Sequence, residues 1–143
     1  MTQKDILNIL RQKTAQDGLR RSIQRERVVE AFLNAKPHIS AEDLLATVHK
    51  QYKKIGFATV YRTLKLLCRY GLATEIKIGS NKALYEPYIE TAHHNHLICV
   101  NCGSITEVFD GKIEKLQNKL ATDNGFKPMH HRLEIFGLCK KCK

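Results

Sequence analysis

Apolar residues that recur every three or four positions predict four helices in the first half of the chain. The stripes run through residues 6–13, 28–33, 44–52 and 60–68. Ser40 is a predicted N-cap, and Asp43 lies at the position that completes a capping box. Gly71 follows the fourth stripe, where glycine commonly ends a helix. The third and fourth helices, separated by a short turn through Gly56, have the pattern of a helix-turn-helix.

Beyond Gly71 the period of the pattern changes from helix to strand. Residues 75–78 alternate between apolar and polar, residues 79–81 (Gly-Ser-Asn) predict a turn, and residues 83–85 return as a second strand. Helices followed by such a hairpin make a winged helix, a fold that binds DNA or, in other proteins, a protein partner.

The remaining residues predict a small α/β unit. Strands are expected over residues 105–109 and 133–138, and a helix over residues 113–120 between them. The predicted fold class is therefore α+β, with a winged helix-turn-helix domain over residues 1–90 and a small α/β domain over residues 91–143.

Basic residues are concentrated in the first of these domains. Lys and Arg outnumber Asp and Glu by 16 to 9 in residues 1–90, and by 8 to 5 in residues 91–143. Arg62, Lys65 and Arg69 lie opposite the apolar stripe of the fourth helix, on the face that would meet a DNA groove. A solvated basic surface without a ligand is the other interpretation.

Two CxxC pairs are the strongest chemical signal in the sequence. Cys99 and Cys102 form the first pair, Cys139 and Cys142 the second, and 36 residues separate the pairs. Four thiolates on two tight turns suit structural Zn(II), provided that a folded insert brings the turns together. Disulfides or a redox pair are alternatives. We expect Cys68, on an apolar stripe, to be a core residue.

The cellular location of the protein bears on the choice between a zinc site and disulfides. No apolar run approaches the roughly 18 to 20 residues of a membrane span, and the first twenty residues lack the layout of a secretory signal. We therefore expect a cytoplasmic protein with no membrane partner, in which cysteines stay reduced.

Histidines cluster beside both CxxC pairs, at residues 93–96 and 130–131. In an extended segment His94 and His96 project to one face and His93 to the other, so the segment could contribute to two sites. With nearby glutamates, such imidazoles suit Fe(II), Mn(II), Zn(II), Co(II) or Ni(II). A metal-dependent hydrolase and a metal-buffering protein are alternative classes, but no HExxH motif or nucleophile with a nearby base indicates an enzyme.

Four segments together resemble the ferric uptake regulator family of metal-dependent bacterial transcription regulators. They are residues 38–44 (HISAEDL), 57–62 (FATVYR), 93–103 (HHNHLICVNCG) and 131–137 (HRLEIFG) followed by the second CxxC. The resemblance implies that the second domain mediates dimerisation and that a hinge lies near residue 90. It further implies a homodimer, or a tetramer of two dimers, that binds an A/T-rich inverted repeat in double-stranded DNA.

The resemblance also implies three sets of functional residues. The DNA contacts are Arg20, Thr59, Tyr61, Arg62 and Lys65. The regulatory metal ligands are His38, Glu86, His94, His96 and, as a fifth, Glu107. The ligands of an additional site are His93, Glu114 and His131. Asn95 stands where the family usually has an aspartate at that additional site, and an amide is a weaker, neutral oxygen donor.

These residues predict a metal-responsive repressor in which the regulatory ion fixes the angle between the domains and so sets the DNA-competent dimer. Peroxide sensors of the family typically carry aspartates where this chain has Glu86 and Glu107. The glutamates therefore favour Fe(II), with peroxide, zinc and manganese sensing as the alternatives.

Overall fold

A computed structural model describes residues 3–78, 82–88, 94–128 and 131–143. The predicted turn at residues 79–81, together with His93 and His130, lies outside the described residues. The chain divides into two compact units, Met1–Thr91 and Ala92–Lys143. Within the described ranges, no helix is long and apolar enough to cross a membrane.

The first unit contains four helices, at the places where the apolar stripes predict them. They are α1 (Gln3–Gln16), α2 (Ile23–Leu33), α3 (Ala41–His49) and α4 (Phe57–Arg69). The predicted cap of α3 forms, because the Asp43 amide donates to the Ser40 hydroxyl oxygen at 3.1 Å. The Ser40 hydroxyl in turn donates to the Asp43 carboxylate at 2.8 Å. Gly71 ends α4 with a φ of +70°, a conformation that glycine adopts without a steric penalty.

The apolar stripes of the helices form the core of this unit. Val28, Phe32, Leu44, Val48, Val60, Leu64 and Leu67 are all buried. Each such side chain contributes about 1.5 to 3 kcal/mol relative to an exposed position. The core therefore fixes the rotation of α4 and, with it, which residues of α4 face solvent.

The hairpin consists of β1 (Ala73–Ile78) and β2 (Lys82–Pro87), paired antiparallel from Ala73 opposite Pro87 to Ile78 opposite Lys82. Ile39, just before α3, forms an isolated bridge with Tyr85 of β2. Both strands extend beyond the predicted ranges, because the ladder continues through residues that lack the alternating pattern. This arrangement confirms the predicted winged helix-turn-helix.

The second unit is a three-stranded sheet with one helix. Its elements are β3 (Asn95–Cys99), β4 (Ile105–Val108), α5 (Gly111–Asp123) and β5 (Glu134–Gly137). The strand order is β4-β3-β5, with β4 antiparallel and β5 parallel to β3. Antiparallel neighbours need only a short turn, whereas the parallel pair needs the crossover that β4 and α5 provide. The α+β fold class is thus confirmed for the chain.

Candidate metal centres and nucleic-acid interface

The four cysteines of the CxxC pairs meet at one end of the second unit. Their sulfur atoms all lie within 4.8 Å of one another, and Cys102 Sγ is 3.8 Å from Cys139 Sγ. Four sulfurs at these separations fit a tetrahedral ion with metal–sulfur distances of about 2.3 Å. The donor set is all thiolate and closed, which suits a structural zinc ion.

The parallel pairing of β3 with β5 explains why distant cysteines converge. Cys99 ends β3, opposite Gly137 at the end of β5, and the Val100 amide donates to the Gly137 carbonyl at 3.0 Å. The ends of parallel neighbours lie at the same edge of a sheet, so the turn after each strand presents its CxxC there. The folded insert that the spacing requires is therefore β4 and α5.

Backbone amides prepare Cys99 for metal binding. The Cys139 amide donates to Cys99 Sγ at 3.4 Å. Hydrogen bonds from the backbone of Cys102 and of Cys139 lower the pKa of the Cys99 thiol to about 6. The thiolate is the form that ligates metal, so this environment favours the ligating state near neutral pH.

A histidine–glutamate pair occupies the first unit. His38 Nε2 lies 3.0 Å from Glu86 Oε2, and Glu86 is 8% exposed. The Ile39–Tyr85 bridge aligns the two residues, since Ile39 follows His38 and Tyr85 precedes Glu86. His38 has a φ of +62° and is the single non-glycine with a positive φ among the described residues. We call His38 and Glu86 the first half-site.

The second unit holds a comparable set, His94, His96 and Glu107, which we call the second half-site. Its potential ligand atoms lie within 4.8 Å of one another. His94 Nε2 is 3.7 Å from Glu107 Oε1, and the rings of His94 and His96 are 4.9 Å apart between centroids. His96 and Glu107 are direct partners on β3 and β4, so their side chains share one face of the sheet. Imidazole and carboxylate donors suit a divalent transition metal.

The residues predicted for an additional metal site pair with one another. His131 Nε2 lies 2.5 Å from Glu114 Oε2, and the Asn95 amide donates to Glu114 Oε1 at 3.1 Å. Asn95 is 3% exposed. Because a carboxylate only accepts hydrogen bonds, Asn95 turns its NH₂ rather than its oxygen towards Glu114. Asn95 therefore does not offer its oxygen as a ligand in this arrangement.

The predicted DNA contacts of α4 lie at its exposed surface. Tyr61 is 41% exposed and stacks on Phe57, with ring centroids 6.1 Å apart. The Arg62 guanidinium is exposed and donates through Nε to the Ala58 carbonyl at 3.1 Å. Thr59 is half-buried, one turn before the buried Thr63, whose hydroxyl donates to the Thr59 carbonyl. Tyr61 and Arg62 are thus available to a duplex.

Lys65 differs from these residues, because its ammonium group is already bound. It donates to both oxygens of Glu75 on β1, at 2.9 and 2.7 Å. It also lies 5.6 Å from the centre of the Tyr61 ring. A DNA phosphate would have to compete with the Glu75 carboxylate for this cation.

Arg20 is exposed in the connection between α1 and α2, beside an ion cluster that the sequence did not indicate. Glu26 accepts from Arg11 Nε and Nη2 at 3.0 and 2.7 Å and from Arg21 Nε at 2.9 Å. The Arg25 guanidinium donates to the Arg20 carbonyl at 3.3 Å. The cluster ties α1 to the start of α2 and so holds the segment that carries Arg20.

The second unit exposes several large apolar side chains. No side chain of α5 is buried. The exposed apolar residues of the unit include Phe109, Leu116, Leu120, Phe126 and Ile135. Exposed apolar side chains in this number indicate a candidate surface for association.

Sequence reasoning missed Glu26 and Glu75 as partners of basic residues, and Tyr85 as a hydrogen-bond donor to Glu75. Glu75 and Lys65 are ten positions apart on different elements. Only the packing of the hairpin against α4 brings them together. The alternating pattern of β1 places Glu75 on one face of the strand but does not identify what that face meets.

The protein combines a winged helix that exposes basic residues of α4 with a four-cysteine cluster and two histidine–glutamate pairs. Together these features define a metal-responsive, DNA-binding regulator. The chain belongs to the ferric uptake regulator family, which matches residues 16–136. This is a family of transcription regulators and not of enzymes, so the hydrolase alternative is excluded.

Named regulators of this family align with most of the chain. It is 37% identical over 125 residues to the ferric uptake regulation protein of Cupriavidus metallidurans, covering 87% of each protein. It is 32% identical over 125 residues to the peroxide operon regulator of Bacillus subtilis, covering 87% of this chain and 85% of that protein. The structure of the Helicobacter pylori ferric uptake regulator, described as having three functional metal-binding sites, aligns with a TM-score of 0.80 at 31% identity. That alignment covers 99% of this chain and 94% of that one.

Proposed function

We propose that this chain is an Fe(II)-responsive transcriptional repressor that acts in the cytoplasm as a homodimer. The observation that carries the proposal is the pairing of a glutamate with a histidine in each unit: Glu86 with His38 at 3.0 Å and Glu107 with His94 at 3.7 Å. Mixed imidazole and carboxylate ligands suit Fe(II). Glutamate rather than aspartate at both positions favours iron over peroxide as the signal.

In this proposal, the two half-sites would together supply the ligands of one regulatory ion. His38 and Glu86 contribute ligands from the winged helix, and His94, His96 and Glu107 contribute them from the second unit. When bound, a divalent ion would supply the positive charge that offsets the repulsion between the two carboxylates. Each half-site is held by paired backbone, so joining the two restricts the orientation of the winged helix.

Control of DNA binding follows from the symmetry of a dimer. In a twofold dimer the separation of the two α4 helices must match the spacing of the half-operators. A ligand that favours one separation raises DNA affinity without contacting DNA. The predicted target is an A/T-rich inverted repeat, contacted by Arg20, Thr59, Tyr61 and Arg62, and by Lys65 if it leaves Glu75.

A second copy of the chain covers the apolar surface of the second unit. α5 contributes Leu116 and Leu120, which are 66% and 68% exposed, and burial of such side chains drives association. Two dimers could form a tetramer through the same surface only if some of its apolar residues remain exposed after the dimer has formed.

The four cysteines bind a structural zinc ion. We expect Cys99→Ser to unfold the second unit, because structural zinc contributes roughly 10 to 16 kcal/mol in model peptides. The measurement is circular dichroism together with zinc content, with Cys68→Ser as the control, since Cys68 packs beside the core of the first unit. A folded Cys99→Ser protein that lacks zinc would rule out the structural role.

The test of the signal is anaerobic fluorescence anisotropy with an A/T-rich inverted-repeat duplex and a scrambled duplex, after zinc content has been measured. Fe(II), Mn(II) and Zn(II) are titrated in parallel. We expect sequence-selective binding that depends on Fe(II), at free concentrations where Zn(II) has little effect. Metal-independent binding, or binding selective for another metal, would overturn the assignment of iron.

Peroxide sensing is the second candidate, because the chain is 32% identical to a peroxide operon regulator. The discriminating measurement adds stoichiometric hydrogen peroxide to the Fe(II)-loaded complex with DNA. Because peroxide oxidises Fe(II) in either case, the readout is recovery: we expect fresh Fe(II) to restore DNA binding by an iron sensor but not by a peroxide sensor.

A further inference from the structure

Lys65 on α4 and Glu75 on β1 form an ion pair inside the winged helix. Both carboxylate oxygens of Glu75 accept from Lys65 Nζ, at 2.9 and 2.7 Å. Their side chains are 39% and 19% exposed, respectively. The pair is therefore partly screened from water, and it neutralises one cation on the helix that the proposed function directs to DNA.

Tyr85 is a second hydrogen-bond donor to the Glu75 carboxylate. Its hydroxyl donates to Glu75 Oε1 at 3.2 Å, and its ring is 1% exposed within the core of the unit. Tyr85 and Glu75 are direct partners on β2 and β1. Burial alone would raise the pKa of the Glu75 carboxyl, but Lys65 and Tyr85 lower it overall, so Glu75 is a charged acceptor for both.

The backbone of Tyr85 joins this network to the first half-site. The Tyr85 amide donates to the Ile39 carbonyl at 2.9 Å, and the Ile39 amide donates to the Tyr85 carbonyl at 3.0 Å. His38 and Glu86 are the chain neighbours of these two residues and pair at 3.0 Å. A shift of His38 or Glu86 therefore moves the paired backbone of Ile39 and Tyr85. The Tyr85 side chain in turn donates to Glu75.

We propose that Tyr85 and Glu75 are positioning residues that link the first half-site to Lys65 on α4. The link rests on the proposed function, because it passes the state of the His38–Glu86 pair to DNA binding. The link lies entirely within the winged helix, so it is separate from the effect of the regulatory ion on the orientation of the winged helix. Glu75 decides whether the Lys65 ammonium is neutralised or available to a phosphate, and Tyr85 sets the position of Glu75.

Tyr85→Phe tests the link by removing one hydroxyl while keeping the buried ring. DNA affinity is measured with and without Fe(II) in the full-length protein, and Fe(II) affinity is measured without DNA. We expect the Fe(II)-dependent gain in DNA affinity to fall by about threefold or more, with Fe(II) affinity in the absence of DNA unchanged. Tyr70→Phe is the matched control, because the Tyr70 hydroxyl donates to Asp17 at 2.7 Å, away from this network.

Glu75→Gln tests the link without metal, through the salt dependence of DNA affinity. Releasing Lys65 to a phosphate should make the slope of log affinity against log salt steeper by about 0.9. Adding Lys65→Met should remove the change. An unchanged salt slope in Glu75→Gln, or a Tyr85→Phe variant that responds to Fe(II) like the wild type, would overturn the link while the proposed function stands. A wild-type protein whose DNA affinity ignores every metal would instead overturn both.

Discussion

Single residues decide what each cluster of ligating side chains can bind. His38 adopts a left-handed backbone with a φ of +62°, which is unfavourable by about 1 to 2 kcal/mol for a residue other than glycine. The Ile39–Tyr85 bridge and the contact with Glu86 compensate for this strain. Strain retained at a residue with a candidate ligand role fits a functional requirement rather than a requirement of folding.

Asn95 bears on the ligands of the additional metal site, because it stands beside Glu114. Its amide donates to Glu114, which also contacts His131. Asn95→Asp would place a second carboxylate beside Glu114, an arrangement that a divalent cation stabilises. We expect the variant to bind about one more ion per chain than the wild type, measured by elemental analysis after dialysis.

The control for this prediction is Asn8→Asp, which makes the same charge change on an exposed position of α1. Equal metal content in the wild type and Asn95→Asp would contradict the interpretation that Asn95 replaces a metal ligand.

At the scale of elements, the packing of α4 determines which residues can contact DNA. Val60, Leu64 and Leu67 are buried, so Arg62 is directed to solvent. We expect Arg62→Ala to lose about 1 to 3 kcal/mol of specific DNA binding without changing metal content. The measurement is anisotropy with the inverted-repeat duplex. Lys4→Ala removes the same charge from exposed α1 and should have a smaller effect; operator affinity unchanged in Arg62→Ala would exclude the proposed contact.

The junction between α1 and α2 depends on Glu26. Hydrogen bonds from Arg11 and then Arg21 lower the pKa of its carboxyl from 4.5 to about 2. Because the folded-state pKa is depressed, the stabilisation is full above pH 4.5 and is lost as the pH falls towards 2. We expect Glu26→Gln to lower the free energy of unfolding by about 1 kcal/mol at neutral pH, a value reduced by solvent screening of the exposed arginines.

Urea unfolding across this pH range is the measurement. The difference between the wild type and Glu26→Gln should disappear at the acid end. Glu30→Gln makes the same change one turn further along α2 and should behave like the wild type. A difference that persists unchanged at low pH would show that Glu26 acts through packing and not through its charge.

The elements with strong periodicity could be predicted from sequence, and so could the sites with fixed local spacing. The apolar stripes predicted α1 to α4, and Ser40 predicted the start of α3. The cysteine spacing predicted both the cluster and the folded insert between its halves. His94 and His96 were expected on one face of an extended segment; β3 begins at Asn95, so His96 lies in the strand and His94 directly precedes it.

Contacts between distant elements could not be predicted in this way. The Lys65–Glu75 and Arg11–Glu26 pairs depend on how elements pack, which periodicity does not encode. Asn95 was recognised as a weak donor, but its role as a hydrogen-bond donor to Glu114 required the register of the sheet and the position of α5. The left-handed backbone of His38 has no signal in the sequence at all.

For the whole molecule, charge and metal binding act on the same equilibrium. The chain has a net charge of +10, which favours approach to a polyanion whether or not metal is bound. Charge alone would give binding that is salt-dependent and insensitive to sequence. Selectivity for an operator requires contacts with the bases as well, and Tyr61 and Arg62 are the exposed candidates for these contacts on α4.

The central claim is that Fe(II) and operator DNA favour the same state of the protein. Thermodynamic linkage requires that DNA tighten Fe(II) binding by the same factor by which Fe(II) tightens DNA binding. The most direct measurement is anaerobic calorimetric titration of Fe(II) into the zinc-loaded protein, alone and saturated with the inverted-repeat duplex. We expect tighter Fe(II) binding in the complex with the inverted-repeat duplex and no change with a scrambled duplex. Equal Fe(II) affinity with and without the operator duplex would contradict the central claim.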